Sequence, residues 1–256
     1  MAASDIDNDD DLFGDPGPAP HALRGLTVVL PCLDEAENLP DAVRYATQAV
    51  ERCAVVHEIV IVDDGSTDKT VAIAGEIAAR DPRLSLVVHS ENRWYGESLR
   101  SGIAAAQMPW VLLTDADLQF DFGDLEDFLP LALSADLVVG WRVLPLGPVG
   151  VRVEGALWNR FLRAAFDLPV RDVDCAFRLA RHELLERLDL HASGALVGAE
   201  LLVKSRAAGA RVAEAPVHHK VRVAGRQTGS GRRLSARTFR EIAGLRRAGQ
   251  GRPAGV

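Results

Sequence analysis

Short apolar runs alternate with segments of helical periodicity along most of this chain. The runs are three to five residues long and predict buried strands at Leu26–Leu30, Ile59–Val62, Leu84–Val88, Val111–Leu113 and Leu137–Val139. Between the first four runs, apolar residues recur at the spacing of one helix face over Leu39–Cys53, Val71–Ala78 and Tyr95–Gln107. Strands alternating with helices predict an α/β fold, with a mostly parallel central sheet and helices on both faces.

The two ends of the chain differ from this middle part. Residues 1–24 are rich in Asp, Pro, Gly and Ala and lack periodicity, which predicts a disordered acidic leader. Residues 220–256 contain Lys220 and nine arginines against Glu241 alone, although the net charge of the chain is −7. Within 231–256, apolar residues at helical spacing predict a basic C-terminal helix or tail; they are Leu234, Phe239, Ile242 and Leu245. This tail either lies on an anionic membrane or packs on the 25–230 domain, and both interpretations stay open.

Composition excludes several classes of protein. With 48% hydrophobic and 25% charged residues, the chain is neither mostly disordered nor collagen-like nor a coiled coil. Cys32, Cys53 and Cys175 are too few and too scattered for a disulfide scaffold or a thiolate zinc site, which favours a reducing compartment. No apolar run reaches the roughly 18 residues that span a bilayer, and no signal-peptide pattern is present. We therefore expect a cytoplasmic protein, and the lack of aromatic residues for base stacking argues against a nucleic-acid partner.

Acidic clusters follow three of the predicted strands. Asp34 and Glu35 follow the first, Asp63 and Asp64 follow the second, and Asp115-Ala116-Asp117 follows the fourth. The carboxyl ends of parallel strands meet at one edge of a sheet, where ligands bind in folds of this kind. Crowded carboxylates suit a hard divalent cation, which then binds a diphosphate. Neither a P-loop nor a glycine-rich dinucleotide motif is present.

Individual residues of these clusters suggest separate roles. Asp115 and Asp117 can both point into one cleft around a turn, and the amide oxygen of Gln119 is a candidate third metal ligand. Asp63 and Asp64 can accept hydrogen bonds from ribose hydroxyls or a base. The simpler alternative is that the segment from Asp63 to Asp68 only forms a turn and a helix N-cap.

Taken together, three motifs resemble those of glycosyltransferase family 2, and more narrowly of its dolichyl-phosphate and polyprenyl-phosphate sugar transferases. The motifs are Pro31 to Asn38, Val62-Asp63-Asp64-Gly65-Ser66-Thr67-Asp68 and Asp115-Ala116-Asp117-Leu118-Gln119, within a resemblance that covers residues 25–230. The resemblance implies a GT-A fold, with Mg²⁺ or Mn²⁺ held on the donor diphosphate by Asp115, Asp117 and Gln119. It also implies a nucleotide-sugar site, for which the candidate residues are Pro31, Leu33, Glu35, Asp63, Asp64, Asp115 and Ala116.

The same resemblance implies an acceptor-phosphate site in the second half of the chain. Lipid-phosphate transferases carry one arginine after the fifth strand and another at the start of the next helix, and Arg142 and Arg152 match these places. The loop between them is predicted from Pro145, Gly147, Pro148 and Gly150. His219 and Arg222 fit the family pattern Pro-Val-x-His-x-x-Arg, and they too would contact a phosphate. Metal chelation by His218 together with His219 is not expected, because neighbouring residues on a strand point to opposite faces.

Three further positions are tied to the chemistry by the resemblance. Glu200, at the start of a predicted helix, occupies an acidic position that faces the active site in related enzymes, so it joins Asp117 and Arg142 as a catalytic candidate. Cys175-Ala176 replaces the Ser-Gly that is usual in the family, and Cys175 is given no chemistry. Asp172 or Asp174 either acts as a base, orients arginines, or is a loop carboxylate paired with a nearby arginine.

The resulting expectation is a metal-dependent, inverting transfer of mannose or glucose from a GDP or UDP sugar to a polyprenyl or dolichyl phosphate. A phosphate monoester needs no general base, because its second pKa is about 6. The alternatives are the same fold acting on a hydroxyl acceptor, a sugar-phosphate nucleotidyltransferase, and a non-catalytic binding module. Peripheral contact with an anionic membrane at its inner face is left open.

Overall fold

The computed structural model describes residues 21–143, 149–194 and 196–222, together with residues 238, 241, 242, 244 and 245. Its strands are β1 Leu23–Cys32, β2 Ala54–Asp63, β3 Leu84–Val88, β4 Trp110–Leu113, β5 Leu137–Arg142, β6 Arg178–Arg181 and β7 Val212–Val217. Its helices are α1 Leu39–Cys53, α2 Thr70–Ala78, α3 Tyr95–Ala105, α4 Leu125–Ala132, α5 Val149–Phe166, α6 His182–Arg187 and α7 Val197–Ala207. A 3₁₀ turn at Phe122–Asp124 precedes α4.

The strands form one seven-stranded sheet in the order β3-β2-β1-β4-β6-β5-β7. Strands β1, β2, β3 and β4 pair in parallel, as do β5 and β7, while β6 runs antiparallel between β4 and β5. Six strands therefore share one direction, and their carboxyl ends share one edge. The prediction of a mostly parallel sheet is confirmed.

Both faces of the sheet are covered by helices. Along β1, Val28 and Leu30 belong to one core, whereas Val29 between them belongs to the other. The first core is closed by α1, α2 and α4, and the second by α3, α5, α6 and α7. Side chains alternate across a strand, so the continuous apolar runs of the sequence are what a sheet buried on both faces requires.

Helix α1 shows how the sequence places one of the loops that lead into the site. Pro40 lies in its first turn, where the missing amide hydrogen costs nothing. Its buried residues recur every three to four positions and are Leu39, Ala42, Val43, Ala46, Ala49, Val50 and Cys53. The helix therefore packs one face on the sheet, and the loop before it is held at the carboxyl edge of β1.

The structure corrects two boundaries. Strand β1 begins at Leu23, which is buried and pairs with Ala54, so residues 23 and 24 belong to the sheet and not to the leader. Helix α5 begins at Val149 and already includes Gly150, which was expected in the loop before Arg152. A glycine within a helix costs only about 1 kcal/mol, and the packing of the rest of α5 outweighs it. Residues 1–20, Pro145, Gly147 and Pro148 lie outside the described residues.

The C-terminal tail is described at a few positions only. Ile242 and Leu245 are buried and belong to the second core, which supports packing of the tail on the body. Leu234 and Phe239 lie outside the described residues. Cys32, Cys53 and Cys175 are buried free thiols. Within the described parts of the chain, every helix is too short or too polar to cross a membrane.

Candidate active site

The loops that carry the first two acidic motifs are joined by hydrogen bonds. Asp34, which follows β1, accepts hydrogen bonds through Oδ1 from the backbone N–H of Thr67 at 2.7 Å and of Asp68 at 3.3 Å. In return, the backbone N–H of Asp34 donates to Ser66 Oγ, and that of Ala36 donates to Asp68 Oδ2. The polar groups of one loop thus satisfy those of the other, and the two strand ends are held in a fixed relation.

Asp63 ends β2 and is fully buried. Its Oδ2 accepts hydrogen bonds from the backbone N–H groups of Gly65 at 3.1 Å and Ser66 at 3.0 Å, which is the turn geometry that the motif predicted. Its Oδ1 is also buried and has no hydrogen-bond partner among the described residues. A buried acceptor without a partner is costly, so this oxygen is suited to a ligand that donates a hydrogen bond.

Asp64 serves mainly to position the next loop. Its Oδ1 lies 2.7 Å from Nδ1 of His89 and accepts a hydrogen bond from the backbone N–H of Arg93 at 2.9 Å. His89 Nε2 in turn lies 2.9 Å from Ser101 Oγ on α3. Asp64 and His89 are both buried, so this chain of contacts fixes the loop after β3 against the site.

The third motif places two carboxylates after β4. Asp117 Oδ1 accepts a hydrogen bond from the backbone N–H of Gln119 at 3.1 Å around a turn in which Leu118 has a φ of +61°. The Oδ1 of Asp115 is buried and has no hydrogen-bond partner among the described residues. Burial raises the pKa of Asp115 to about 7, and the charge of Asp117 adds to the rise. Burial also raises the pKa of Asp117.

Tyr95 is a site residue that sequence reasoning missed. It begins α3, and burial raises the pKa of its hydroxyl, with the nearby charge of Asp115 raising it further. The signal in the sequence was weak, because Tyr95 is separated from Asp115 by a whole helix and a strand. Trp94 before it has a φ of +77°, a conformation that residues with a side chain rarely adopt. Such backbone conformations cluster at functional sites.

Arg222 joins the first and third motifs. Its guanidinium donates to Oε1 of Glu35 and, at 3.4 Å, to Oδ2 of Asp117. Glu35 also accepts a hydrogen bond from Asn38 Nδ2 at 2.7 Å. Burial raises the pKa of Glu35, and the contacts with Asn38 and Arg222 oppose that rise. The arginine therefore compensates two carboxylates that the fold brings together.

The segment that carries Arg222 is pinned across the third motif. The backbone N–H of Lys220 donates to the carbonyl of Gln119 at 2.7 Å, and Phe120 forms an antiparallel bridge with His219. The side-chain amide of Gln119 donates to the carbonyl of Lys220 at 3.4 Å. Strand β7 has already ended at Val217, and His218 pairs with Asp124 while His219 packs against the Phe120 ring. The two histidines thus contact different residues.

Arg142 and Asp172 form the basic side of the site. Arg142 ends β5, and its Nε and Nη2 donate to Asp172 Oδ2 at 2.7 Å and Oδ1 at 2.9 Å. Burial lowers the pKa of His219, and the charge of Arg142 lowers it further, so these two residues are neighbours. The Nδ1 atom of His219 is buried without a hydrogen-bond partner among the described residues. Of the roles expected for Asp172, the geometry supports the one that orients an arginine.

Three predicted site residues are placed differently from the others. The side chain of Ala116 is buried in the first core, which leaves only its backbone for a ligand. Arg152 is exposed on α5. Glu200 is buried, accepts hydrogen bonds from the backbone N–H groups of His191 and Ala192, and pairs with Lys204 at 2.8 Å. Its carboxylate therefore holds the 190–193 loop in place. The helix dipole favours an acid at a helix start, but it does not decide where the carboxylate points.

The donor set fits a divalent cation that is completed by its substrate. Among the described residues, no group of three or more His, Cys, Asp or Glu side chains is arranged to hold a metal. Asp115, however, offers a buried oxygen without a partner, and Asp117 lies two residues away. Mg²⁺ is commonly held by one or two carboxylates together with substrate phosphates. The residues present therefore match a metal–diphosphate complex better than a closed protein metal site.

This sheet, with acidic loops at its carboxyl edge, has the GT-A architecture that was expected. A crystal structure of glucosyl-3-phosphoglycerate synthase from Mycobacterium tuberculosis in complex with UDP matches it with a TM-score of 0.64 at 22% identity, over 90% of this chain and 82% of the other. Other structures of that enzyme contain Mn²⁺ with UDP-glucose and phosphoglyceric acid, or Mg²⁺ with UDP. Residues 27–189 match the model of Glycosyl transferase family 2. The chain belongs to glycosyltransferase family 2 and is a glycosyltransferase.

Two relatives show how this chain sits within the family. An uncharacterized glycosyltransferase of Mycobacterium tuberculosis is 38% identical over 210 residues, which are 80% of this chain and 90% of the relative. A polyprenol monophosphomannose synthase of Mycolicibacterium smegmatis is 31% identical over 182 residues, which are 64% of each chain. Membership of the family confirms the resemblance that the three motifs predicted.

Proposed function

We propose that this chain transfers a hexose, mannose or glucose, from a GDP or UDP sugar to a polyprenyl or dolichyl phosphate, with inversion at the anomeric carbon and with a divalent metal ion. The observation that carries the proposal is the meeting of two kinds of group at one sheet edge. Asp63 and Asp115 each have a buried carboxylate oxygen without a described partner. Arg142, paired with Asp172, ends β5 at the same edge, and β6 separates β5 from β4. Carboxylates suit a metal-bound diphosphate, and a guanidinium suits a second phosphate.

On the donor side, Asp115 and Asp117, with Gln119, would hold Mg²⁺ or Mn²⁺. The ion supplies charge stabilisation for the departing nucleoside diphosphate. Asp63, through its unpartnered Oδ1, would accept a hydrogen bond from the nucleoside. Pro31, Leu33 and Glu35, at and after the end of β1, would contact the nucleotide sugar beside it. These roles follow the family resemblance, and the burial of the two oxygens supports them.

On the acceptor side, Arg142 and His219 would position a phosphate for attack. Such a phosphate is already anionic at neutral pH, since its second pKa is about 6, so it needs no general base. This agrees with the engagement of Glu200 by backbone N–H groups and Lys204, which leaves it poorly placed to act as a base. Among the relatives, one is a polyprenol monophosphomannose synthase and another is an undecaprenyl-phosphate sugar transferase of Enterobacter, 28% identical over 83% of this chain.

A donor panel tests the proposal. The full chain is incubated with Mn²⁺ or Mg²⁺, with GDP-mannose or UDP-glucose, and with or without a short polyprenyl phosphate, and nucleoside diphosphate release is measured. We expect release that the lipid phosphate stimulates and that EDTA abolishes. We expect Asp117→Ala to lower turnover by about a hundredfold or more. Nucleoside diphosphate release that EDTA does not reduce, or near wild-type activity of Asp117→Ala, would contradict the metal assignment.

The acceptor assignment is tested with Arg142→Gln and a matched control. Arg211 forms a similar bidentate pair with Asp136, but it lies at the opposite edge of the sheet, beside the start of β7. Arg142→Gln should raise the KM for the lipid phosphate more than the KM for the donor, whereas Arg211→Gln should change neither. A larger effect of Arg142→Gln on the donor KM would move this arginine to the donor site.

One observation favours a second candidate, a small acceptor that carries a phosphate and reacts through another oxygen. The structures of glucosyl-3-phosphoglycerate synthase that match this fold contain phosphoglyceric acid. Phosphoglyceric acid is therefore included in the panel. Stimulation by phosphoglyceric acid, with no response to the lipid phosphate, would establish the second candidate and reject the first.

A further inference from the structure

Helix α5 carries an apolar stripe that faces solvent. Val153, Leu157 and Phe161 are 52%, 63% and 41% exposed, and Ala164 is exposed as well. Residues spaced by four and then three positions lie on one face of a helix. Trp158 and Leu162, on the other face, are buried in the second core. The helix is thus anchored by one apolar face while a second one remains exposed; these four residues are called the α5 stripe below.

Basic residues accompany the α5 stripe. Arg152, Arg160 and Arg163 are all exposed on the same helix, and Glu154 is its one acidic residue. This local excess of positive charge contrasts with a net charge of −7 for the whole chain. Apolar side chains flanked by arginines match an anionic phospholipid surface, which attracts the arginines and accepts the apolar groups.

The α5 stripe is tied directly to the basic side of the site. Asn159, on α5, donates through Nδ2 to the carbonyl of Arg171 at 2.7 Å and accepts through Oδ1 from the backbone N–H of Val173 at 2.9 Å. Asp172, which accepts two hydrogen bonds from Arg142, lies between Arg171 and Val173 in the sequence. The helix and the arginine therefore form one rigid unit, and a surface that the stripe contacts is held at a fixed position relative to Arg142.

The few described residues of the tail offer less apolar surface for the same purpose. Its described apolar residues Ile242 and Leu245 are buried against the body. Elsewhere in the described chain, large exposed apolar side chains such as Val55, Val56 and Leu133 lie singly or in pairs. Three such residues within nine positions, next to three arginines, distinguish α5 from this background of ordinary surface residues.

We propose that the α5 stripe docks this glycosyltransferase on an anionic phospholipid bilayer. This inference rests on the proposed function, because a polyprenyl phosphate presents its phosphate at the bilayer surface. Leu157 and Phe161 enter the interface, and Arg152, Arg160 and Arg163 contact lipid phosphates. Docking through α5 brings the unit of Arg142 and Asp172 to the level of the acceptor phosphate.

Vesicle cosedimentation tests the docking separately from catalysis. The vesicles contain phosphatidylglycerol and phosphatidylcholine and no polyprenyl phosphate, and the probe is the full chain. We expect wild-type binding to fall about tenfold or more in the Leu157→Glu/Phe161→Glu variant. We expect Arg160→Gln to weaken it about fivefold and increasing salt to do likewise. Leu133→Glu, which changes a residue that is 66% exposed at the end of α4, is the matched control and should bind like wild type.

The outcomes separate the docking from the chemistry. Equal binding of wild type and the double variant, or no wild-type binding, would overturn the docking whatever the acceptor is. Size-exclusion chromatography with light scattering tests the other occupant, and a wild-type dimer that Leu157→Glu dissociates would make the stripe an interface between copies. Binding lost in the double variant, with unchanged thermal unfolding, supports the docking even if no lipid phosphate is glycosylated. In that case only the proposed acceptor fails.

Discussion

The pair of Arg142 and Asp172 is the contact whose removal the structure defines best. The two side chains are 22% and 12% exposed and share two hydrogen bonds of 2.7 and 2.9 Å. Breaking a buried pair costs about 3–5 kcal/mol, whereas exposed pairs contribute about 0–1 kcal/mol. Asp172→Asn keeps one acceptor oxygen but leaves the guanidinium without a counter-charge. We therefore expect a loss of about 2 kcal/mol in the free energy of unfolding, or about 4–8 °C in Tm.

The lowered pKa of Asp172 determines how the stability loss in Asp172→Asn should vary with pH. Burial by itself would raise the pKa of Asp172, but the Arg142 guanidinium outweighs burial and holds the pKa below its ordinary value. A carboxyl whose pKa is lower in the folded protein contributes stability above its unfolded pKa of about 3.9. That contribution is lost as the pH falls through the folded pKa. The stability difference between wild type and Asp172→Asn should thus be full near neutral pH and shrink below about pH 4.

Urea unfolding followed by circular dichroism measures both effects. The variants are Asp172→Asn, Arg142→Gln and the double variant, each unfolded near neutral pH and again at about pH 3. A coupling energy of at least about 1 kcal/mol in this double-mutant cycle is expected near neutral pH. Asp172→Asn should also raise the KM for the acceptor, because the freed guanidinium loses its orientation. Wild-type stability of Asp172→Asn, or a difference that persists unchanged in acid, would refute the reasoning.

Other consequences of the structure are tested by single substitutions. Gly65→Ala should lower the free energy of unfolding by about 2 kcal/mol, because Gly65 has a φ of +77° and a Cβ there would lie 2.5 Å from the Glu91 carbonyl carbon. Gly150→Ala should instead raise it by about 0.5 kcal/mol, since Gly150 is helical and a Cβ would meet nothing within 4 Å; equal urea midpoints for the two variants would contradict both. Asp124 raises the pKa of His218, so wild type should be more stable than His218→Gln in mild acid and lose that advantage as the pH rises through the raised pKa. An advantage that grows in alkali would contradict this assignment.

The fold could be predicted to the extent that it is local. Buried strands of a parallel sheet leave apolar runs, and their spacing with α1, α2 and α3 determined the architecture. Strand β6 escaped prediction because its four residues, Arg178–Arg181, include two arginines and follow no alternation. The start of α5 was placed too late because proline and glycine cluster before it, although Gly150 is helical.

In the candidate site too, the features that depend on local sequence could be predicted and the contacts between distant residues could not. Asp63, Asp115 and Asp117 could be found because each follows a strand directly, and chain order alone brings them to one edge. Arg222 and Asp172 were also singled out from the sequence, but the side chains that they contact could not be predicted, since the two members of each pair are distant in sequence. Arg222 is 187 residues from Glu35, and Asp172 is 30 residues from Arg142. For Glu200, the sequence predicted the helix start, but it could not show that the carboxylate accepts hydrogen bonds from the 191–192 backbone and pairs with Lys204.

The contact of Arg222 with two motifs bears on how such an acidic site stays folded. Glu35 and Asp117 are almost fully buried, and the pKa of each is raised by burial, so neither is well tolerated as an isolated charge. A guanidinium between them supplies the compensation that buried carboxylates require, and five N–H donors allow it to serve both. Guanidinium N–H groups also donate hydrogen bonds to the phosphate oxygens of a diphosphate. The segment from His218 to Arg222 is therefore part of the electrostatics of the site, which explains why it is pinned by backbone hydrogen bonds across the third acidic motif.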